Sequence, residues 1–192
     1  MPNEHCIEGV ILAAGSSLRA GAFKPALMLG NKSMIERCVE GMSVVCERII
    51  VVGGFEFERL RVLVDRFPKV ESTENKSYES GMFTSVKAAL SRTRGDRCFL
   101  LPADVPLVPP QVYHQLLTAT ADVVVPSFRG RNGHPVLLSK AVLPRILCEP
   151  DNSSLQSVLR SIGFYTMEVD AEEILIDVDT PEDYERIRRR FL

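Results

Sequence analysis

Nothing in this chain approaches the roughly twenty consecutive apolar residues that a membrane-spanning helix requires, and the opening MPNEHCIE lacks the basic and apolar regions of a secretory leader. These absences point to a cytosolic protein with no membrane partner. A C-x-x-C pair is missing too. The five cysteines, Cys6, Cys38, Cys46, Cys98 and Cys148, are odd in number and widely spaced, so nothing suggests a zinc or dithiol site, and reduced, mostly buried thiols are expected. Nor is there an excess of positive charge: 23 Lys and Arg against 25 Asp and Glu leave a net charge of −2, which argues against a general nucleic-acid binder. No repeat, low-complexity segment or Pro/Gly/Ser-rich linker divides the 192 residues, and 45% hydrophobic content leaves no room for extended disorder. The expectation is one domain over residues 1–192.

What the chain does contain is a set of short apolar runs rich in Val and Ile: GVILAA, RIIVVGG, DRCFLLPAD and ADVVVP. They are too short for helices and read as buried strands. Amphipathic stretches lie between them, at Met34 to Val44, Phe55 to Phe67 and Met82 to Leu90. Strands buried on both faces and separated by helices predict a doubly wound α/β fold, a mostly parallel sheet with helices on both faces. The second half is less regular. It is expected to hold strands at Pro135 to Leu138, Tyr165 to Val169 and Leu175 to Val178, and helices at Lys140 to Cys148 and Ser154 to Ile162. In DTPEDYERIRRRF, Thr180 suits an N-cap, Pro181 the first helical position, and Arg188 to Arg190 the negative helix end.

The first strand runs into LAAGSSLRAGAFK, Leu12 to Lys24, whose small residues let the backbone approach a ligand beside two positive charges. Neither of the two commonest phosphate-loop patterns fits. The spacing from Gly15 through Gly21 to Lys24 is wrong for G-x-x-x-x-G-K-[ST], and G-x-G-x-x-G is absent. Between Gly9 and Ile35 there is no acidic residue, while Arg19, Lys24 and Lys32 favour an anion. Ligands of doubly wound sheets bind beyond the carboxyl ends of the strands, and CFLLPADVP delivers Asp104 to that same edge. A carboxylate there either caps a turn or holds a hard cation; next to a basic phosphate loop, Mg²⁺ bridging phosphates is preferred, and with it nucleotidyl or phosphoryl transfer.

The loop fits L-A-[AG]-G-x-S-x-R-x-G-x-x-K and resembles the signature of the MobA-like NTP transferases. NKSYESGMFTSV, PADVP, GRNGHPVLL and DVDTPEDY extend the likeness over the whole chain, the last two resembling the molybdenum cofactor cytidylyltransferase branch. The guanylyltransferase branch usually shows L-A-G-G, from which Ala14 departs. The resemblance implies that Leu12, Ala13, Ala14 and Gly15 seat base and ribose, that Ser17 also belongs to the nucleotide-binding loop, that Arg19 and Lys24 grip the triphosphate, and that Asp104 binds Mg²⁺. It also implies that Asn75, Gly81 and Ser85 help to enclose the nucleotide. Asp177 and Asp179 are candidates for a second metal contact, although Asp179 can instead help to cap the last helix. The implied substrates are an NTP, with CTP favoured, and a molybdopterin-type acceptor; a recipient molybdoenzyme or its chaperone is the implied partner. His134 is read as a packed or hydrogen-bonded turn residue in preference to an acceptor-pocket one, and Tyr78, Met82 and Phe83 as core in preference to a pterin pocket. The rival activities are a guanylyltransferase or a sugar-phosphate or metabolite nucleotidyltransferase. From other classes come a nicotinamide-dependent oxidoreductase and a non-catalytic nucleotide-binding module.

Overall fold

The computed structural model describes residues 6–15 and 23–191. Its central feature is an eight-stranded sheet, in which strands β1 (Ile7–Ala13), β4 (Arg48–Gly53), β5 (Val70–Glu74) and β6 (Arg97–Pro102) are joined in parallel. Two short strands, β2 (Met28–Leu29) and β3 (Lys32–Ser33), form a separate antiparallel pair. The far half of the sheet contains β7 (Val123–Phe128), β8 (Arg131–Asn132), β9 (Val136–Ser139) and β10 (Tyr165–Glu168). Along the sheet the order is β10-β7-β9-β6-β1-β4-β5, with β8 on β7. β9 runs antiparallel to both its neighbours, so β7 and β6 point the same way although they are not adjacent.

Alternation explains the two layers. In β1 and the residue that follows it, Ile7, Ile11 and Ala13 face one apolar cluster, and Val10, Leu12 and Ala14 the other; Ile49 and Val51 of β4, and Phe99 and Leu101 of β6, join the first while their neighbours join the second. The first cluster is closed by α1 (Met34–Ser43), α2 (Phe57–Val64) and α4 (Pro110–Leu117), where Tyr113 meets Phe99 edge-on at 5.2 Å. Opposite it lie α3 (Met82–Leu90), α5 (Leu143–Cys148) and α6 (Leu155–Ile162). The last helix, α7 (Pro181–Arg188), packs Ile187 with Leu29, Met34 and Val178 in a third, smaller cluster. The doubly wound, mostly parallel architecture therefore follows the apolar runs.

Several expectations require correction. Leu175 to Val178 is no strand: a 3₁₀ turn, Glu172–Leu175, leads into irregular chain. Its backbone groups bond singly to loops, Val178 N–H to the Asp104 carbonyl at 2.9 Å and the Ile174 carbonyl to His134 N–H at 3.0 Å, so no ladder forms. Lys140 to Cys148 splits into a 3₁₀ turn, Lys140–Val142, and α5. Cys38, Cys46 and Cys98 are buried as expected, but Cys6 is half-buried and Cys148 exposed; none of the five is in a disulfide.

Candidate active site

The carboxyl edge of the sheet gathers three segments by backbone bonding. The Leu12 carbonyl at the end of β1 accepts from Ala103 N–H at 2.9 Å, and the Asp104 carbonyl accepts from Val178 N–H at 2.9 Å. The end of β1, the loop after β6 and the segment carrying Asp177 and Asp179 are thereby adjacent. Lys24 completes the group from the 3₁₀ turn Lys24–Ala26, whose start Pro25 favours and whose Leu27 N–H closes on the Lys24 carbonyl. Phe23 anchors that turn, buried under the Arg59 guanidinium at 4.8 Å from its ring centre.

Leu12, Ala13, Gly15, Lys24 and Asp104 together line a small cleft of about 90 Å³. Five of the expected residues are thus brought together. Lys24 Nζ lies 3.2 Å from Asp179 Oδ1, with the lysine mostly covered (19% exposed) and the aspartate largely open (59%). Burial, then the nearby Asp179 charge, pushes the Asp104 carboxyl up to about 6, with Asp177 adding to the rise and Lys24 opposing it. Asp104 is a carboxylate whose charge the protein alone leaves poorly compensated. Ala14 is buried in the cluster beneath α3. Ser17 and Arg19, with Gly21, lie outside the described residues.

Asn75 and Ser85 occupy a different place. Asn75 is buried, its amide nitrogen donates to Thr84 Oγ1 at 2.8 Å and Ser85 Oγ at 2.9 Å, and its oxygen accepts from Ser77 N–H at 3.0 Å. The pair ties the end of β5 to the first turns of α3. Gly81, at φ +117° before α3, holds a backbone conformation that disfavours other residues, with open space where a side chain would project.

Beyond Leu12, which lines both cavities, a second and larger one of about 560 Å³ opens between α3, α6 and the ends of β6 and β7. Its walls include Phe83, Val86, Leu100, Val125 and Leu159, with polar groups from Asn132, His134, Gln156 and Arg160. Reading Met82 and Phe83 purely as core is therefore corrected: Met82 is 68% exposed and both line the cavity, while Tyr78 is not among its walls. The α6 residues went unnoticed in the sequence because LQSVLRSI reads as an ordinary amphipathic helix; its inner face is shared between core and cavity. His134 is also in the wall, and its Nδ1 is buried with no hydrogen-bond partner, so a hydrogen-bonded turn histidine does not describe that nitrogen.

Two cavities meeting at Leu12 at the strand ends of a doubly wound sheet, the smaller lined by a lysine and an aspartate, suit an α/β protein equipped for chemistry at phosphate. Residues 9–167 match the MobA-like NTP transferase domain. The chain belongs to that family and is a nucleotidyltransferase. It is 28% identical to the molybdenum cofactor cytidylyltransferase of Escherichia coli K12, over 96% of this chain and 97% of that one. It is 26% identical to the "probable molybdenum cofactor guanylyltransferase" of Carboxydothermus hydrogenoformans, over 94% of each. Among solved structures, Rv0371c of Mycobacterium tuberculosis H37Rv superposes with a TM-score of 0.84 at 22% identity, covering 96% of this chain and 98% of that one. The same mycobacterial protein has been solved as a manganese complex, which superposes with a TM-score of 0.79 at 20% identity, covering 96% and 98%.

Proposed function

We propose that this enzyme transfers the nucleoside monophosphate of an NTP, preferentially CTP, to the phosphate of a molybdopterin-type acceptor and releases pyrophosphate. The observation that carries the reading is the pair of cavities meeting at Leu12, one small and charged, the other large and mostly apolar. The small cleft suits the triphosphate, with Leu12 to Gly15 against the nucleoside and Lys24, joined by Arg19, on the phosphates. A planar organic acceptor fits the larger one, its phosphate directed towards Asp104.

An acceptor phosphate oxygen attacks the α-phosphorus in line as the bond to the bridging α–β oxygen breaks, and the electron pair leaves with pyrophosphate. Lys24 neutralises the charge growing on that leaving group. The attacking phosphate is already an anion, so no general base is needed. Asn75 and Ser85 set the position of the chain around Gly81 and so act on the nucleotide through backbone placement.

The donor set fits Mg²⁺. Among the described residues no three His, Cys, Asp or Glu side chains gather as a metal cage, but Mg²⁺ is commonly held by one or two carboxylates together with substrate phosphates. Asp104 would hold it, with Asp179 as a second contact once released from Lys24. Bound there, the ion would supply Lewis-acid stabilisation of charge on the phosphate oxygens. Ala14, where the guanylyl branch usually has glycine, and the Escherichia coli relative favour CTP.

A panel of the four NTPs against molybdopterin, molybdenum-loaded molybdopterin and sugar phosphates, scored by pyrophosphate release with and without Mg²⁺, tests this. CTP with the molybdenum-loaded acceptor should be fastest, and excess chelator should stop it. Preferential use of GTP would replace the base assignment, and transfer to sugar phosphates alone would overturn the acceptor.

A further inference from the structure

Among the described residues, His134 Nδ1 is the one buried side-chain nitrogen or oxygen without a hydrogen-bond partner. Orphaned buried polar atoms are rare enough to need an explanation. The residue is also held firmly by its backbone: Gly133 N–H donates to the Pro126 carbonyl at 2.8 Å and His134 N–H to the Ile174 carbonyl at 3.0 Å. Gly133 is required for this, because a Cβ there would lie 2.5 Å from the Ile174 carbonyl oxygen. The imidazole is thus set into the wall of the 560 Å³ cavity by main-chain bonds, while no protein group claims its Nδ1. The same cavity is walled by the apolar Phe83, Val86, Leu100 and Leu159, which can contact the faces of a flat ring but cannot read its edge.

We propose that His134 is the residue that reads the acceptor, its imidazole pairing with the hydrogen-bonding edge of a planar, fused nitrogen heterocycle of the pterin class held in this cavity. The assignment rests on the larger cavity being the acceptor site. Burial pushes the imidazolium pKa down to about 4, so near neutral pH the ring is uncharged and offers one donor and one acceptor nitrogen. A neutral heterocycle edge suits it; a phosphate would leave its acceptor nitrogen opposed. Sites built to hydrogen-bond a substrate reject analogues lacking that group strongly, because the protein's own polar group is then left unpaired. His134 is accordingly a specificity residue, lining a different cavity from Asp104 and Lys24.

The test uses the full chain carrying ¹⁵N-histidine, titrated with pterin alone. Of the three histidines, His5, His114 and His134, only the ring nitrogens of His134 should shift. His134→Leu should weaken pterin binding roughly tenfold or more, leave CTP binding unchanged and raise KM for the acceptor without a matching fall in kcat. His134→Asn, which restores a polar atom near the Nδ1 position, should recover part of the loss. Absence of pterin binding, saturation with His134 resonances unmoved, or a Leu variant that binds as tightly as the wild type would overturn the proposal. Wild-type pyrophosphate release from CTP and molybdopterin is read separately, so failure of the acceptor assignment is distinguished from failure of the role of His134. Should the Leu variant not fold, the wild-type resonances still decide.

Discussion

Lys24 Nζ stands 3.2 Å from Asp179 Oδ1, and since that carboxylate is 59% exposed, water competes for it and the pair adds little to stability. The lysine is better explained by what it does to an incoming triphosphate. Opposed anionic oxygens would draw it from Asp179 and let the aspartate turn towards a cation shared with Asp104. Lys24→Ala should therefore slow transfer by about 10²–10³-fold, the usual cost of removing one preorganised stabiliser of transition-state charge. The melting temperature should hardly move. Steady-state kinetics beside a thermal melt check this, and an unchanged rate with a lowered melting temperature would make the lysine structural.

At the scale of the element, α7 positions Asp179 through its cap, Thr180, the next residue along the chain. Thr180 Oγ1 accepts from Asp183 N–H at 3.1 Å while Asp183 Oδ2 accepts from Thr180 N–H at 3.1 Å, a reciprocal cap that fixes the turn carrying Asp177 and Asp179. Thr180→Ala should cost about 1 kcal/mol, read as a fall of roughly 2–4 °C in melting temperature, and Thr180→Ser should restore most of it. This cap was legible in DTPEDY, as were the strands β1, β4, β6 and β7, because burial on both faces leaves an apolar run that neither a loop nor a surface helix would show. β5 was not legible. Its sequence VESTE is half-buried at the sheet edge, where charged and hydroxyl side chains satisfy themselves in solvent. α4, as long as α2 and α6, was hidden by its start, since Pro109-Pro110 with no side-chain cap reads as loop, and Leu175 to Val178 looked like a strand because Ile174, Ile176 and Val178 are apolar for packing against loops and α7. Of the site, Leu12, Ala13, Gly15, Lys24 and Asp104 were readable as a motif. The larger cavity was not, since walls drawn from α3, α6 and five strands leave no contiguous signature.

Across the whole molecule, two carboxylates sit at opposite ends of neighbouring strands in opposite electrostatic condition. At the amino edge, Glu8 is buried, and accepts from Arg48 Nη1 at 2.7 Å, Arg94 N–H at 2.6 Å and Gly95 N–H at 2.9 Å. Burial raises its pKa, but the bonds from Gly95, Arg48 and Arg94 outweigh that and hold it below the ordinary value. At the carboxyl edge Asp104 is raised to about 6. The first stabilises the sheet; the second is a strain kept where a cation and phosphates would relieve it. Their pH signatures have opposite sign. Because the folded pKa of Glu8 is lowered, its contribution is present above its unfolded value of 4.5 and is lost as pH falls through the folded one. Asp104, raised, binds its proton more tightly when folded, so stability declines as pH rises from about 4 to about 6 and stays reduced above. Glu8→Gln should then lower stability at pH 7 by about 2 kcal/mol, with the deficit shrinking in acid and transfer retained. Asp104→Asn in metal-free buffer should instead gain on the order of 1–2 kcal/mol at pH 7, after allowance for solvent screening, with the gain gone near pH 4 and transfer abolished. Melting curves from pH 4 to 8, repeated with Mg²⁺ and CTP, measure both. Wild-type protein should be stabilised by those ligands and Asp104→Asn should not; two variants shifting in the same direction with pH would end the distinction between a structural and a functional edge.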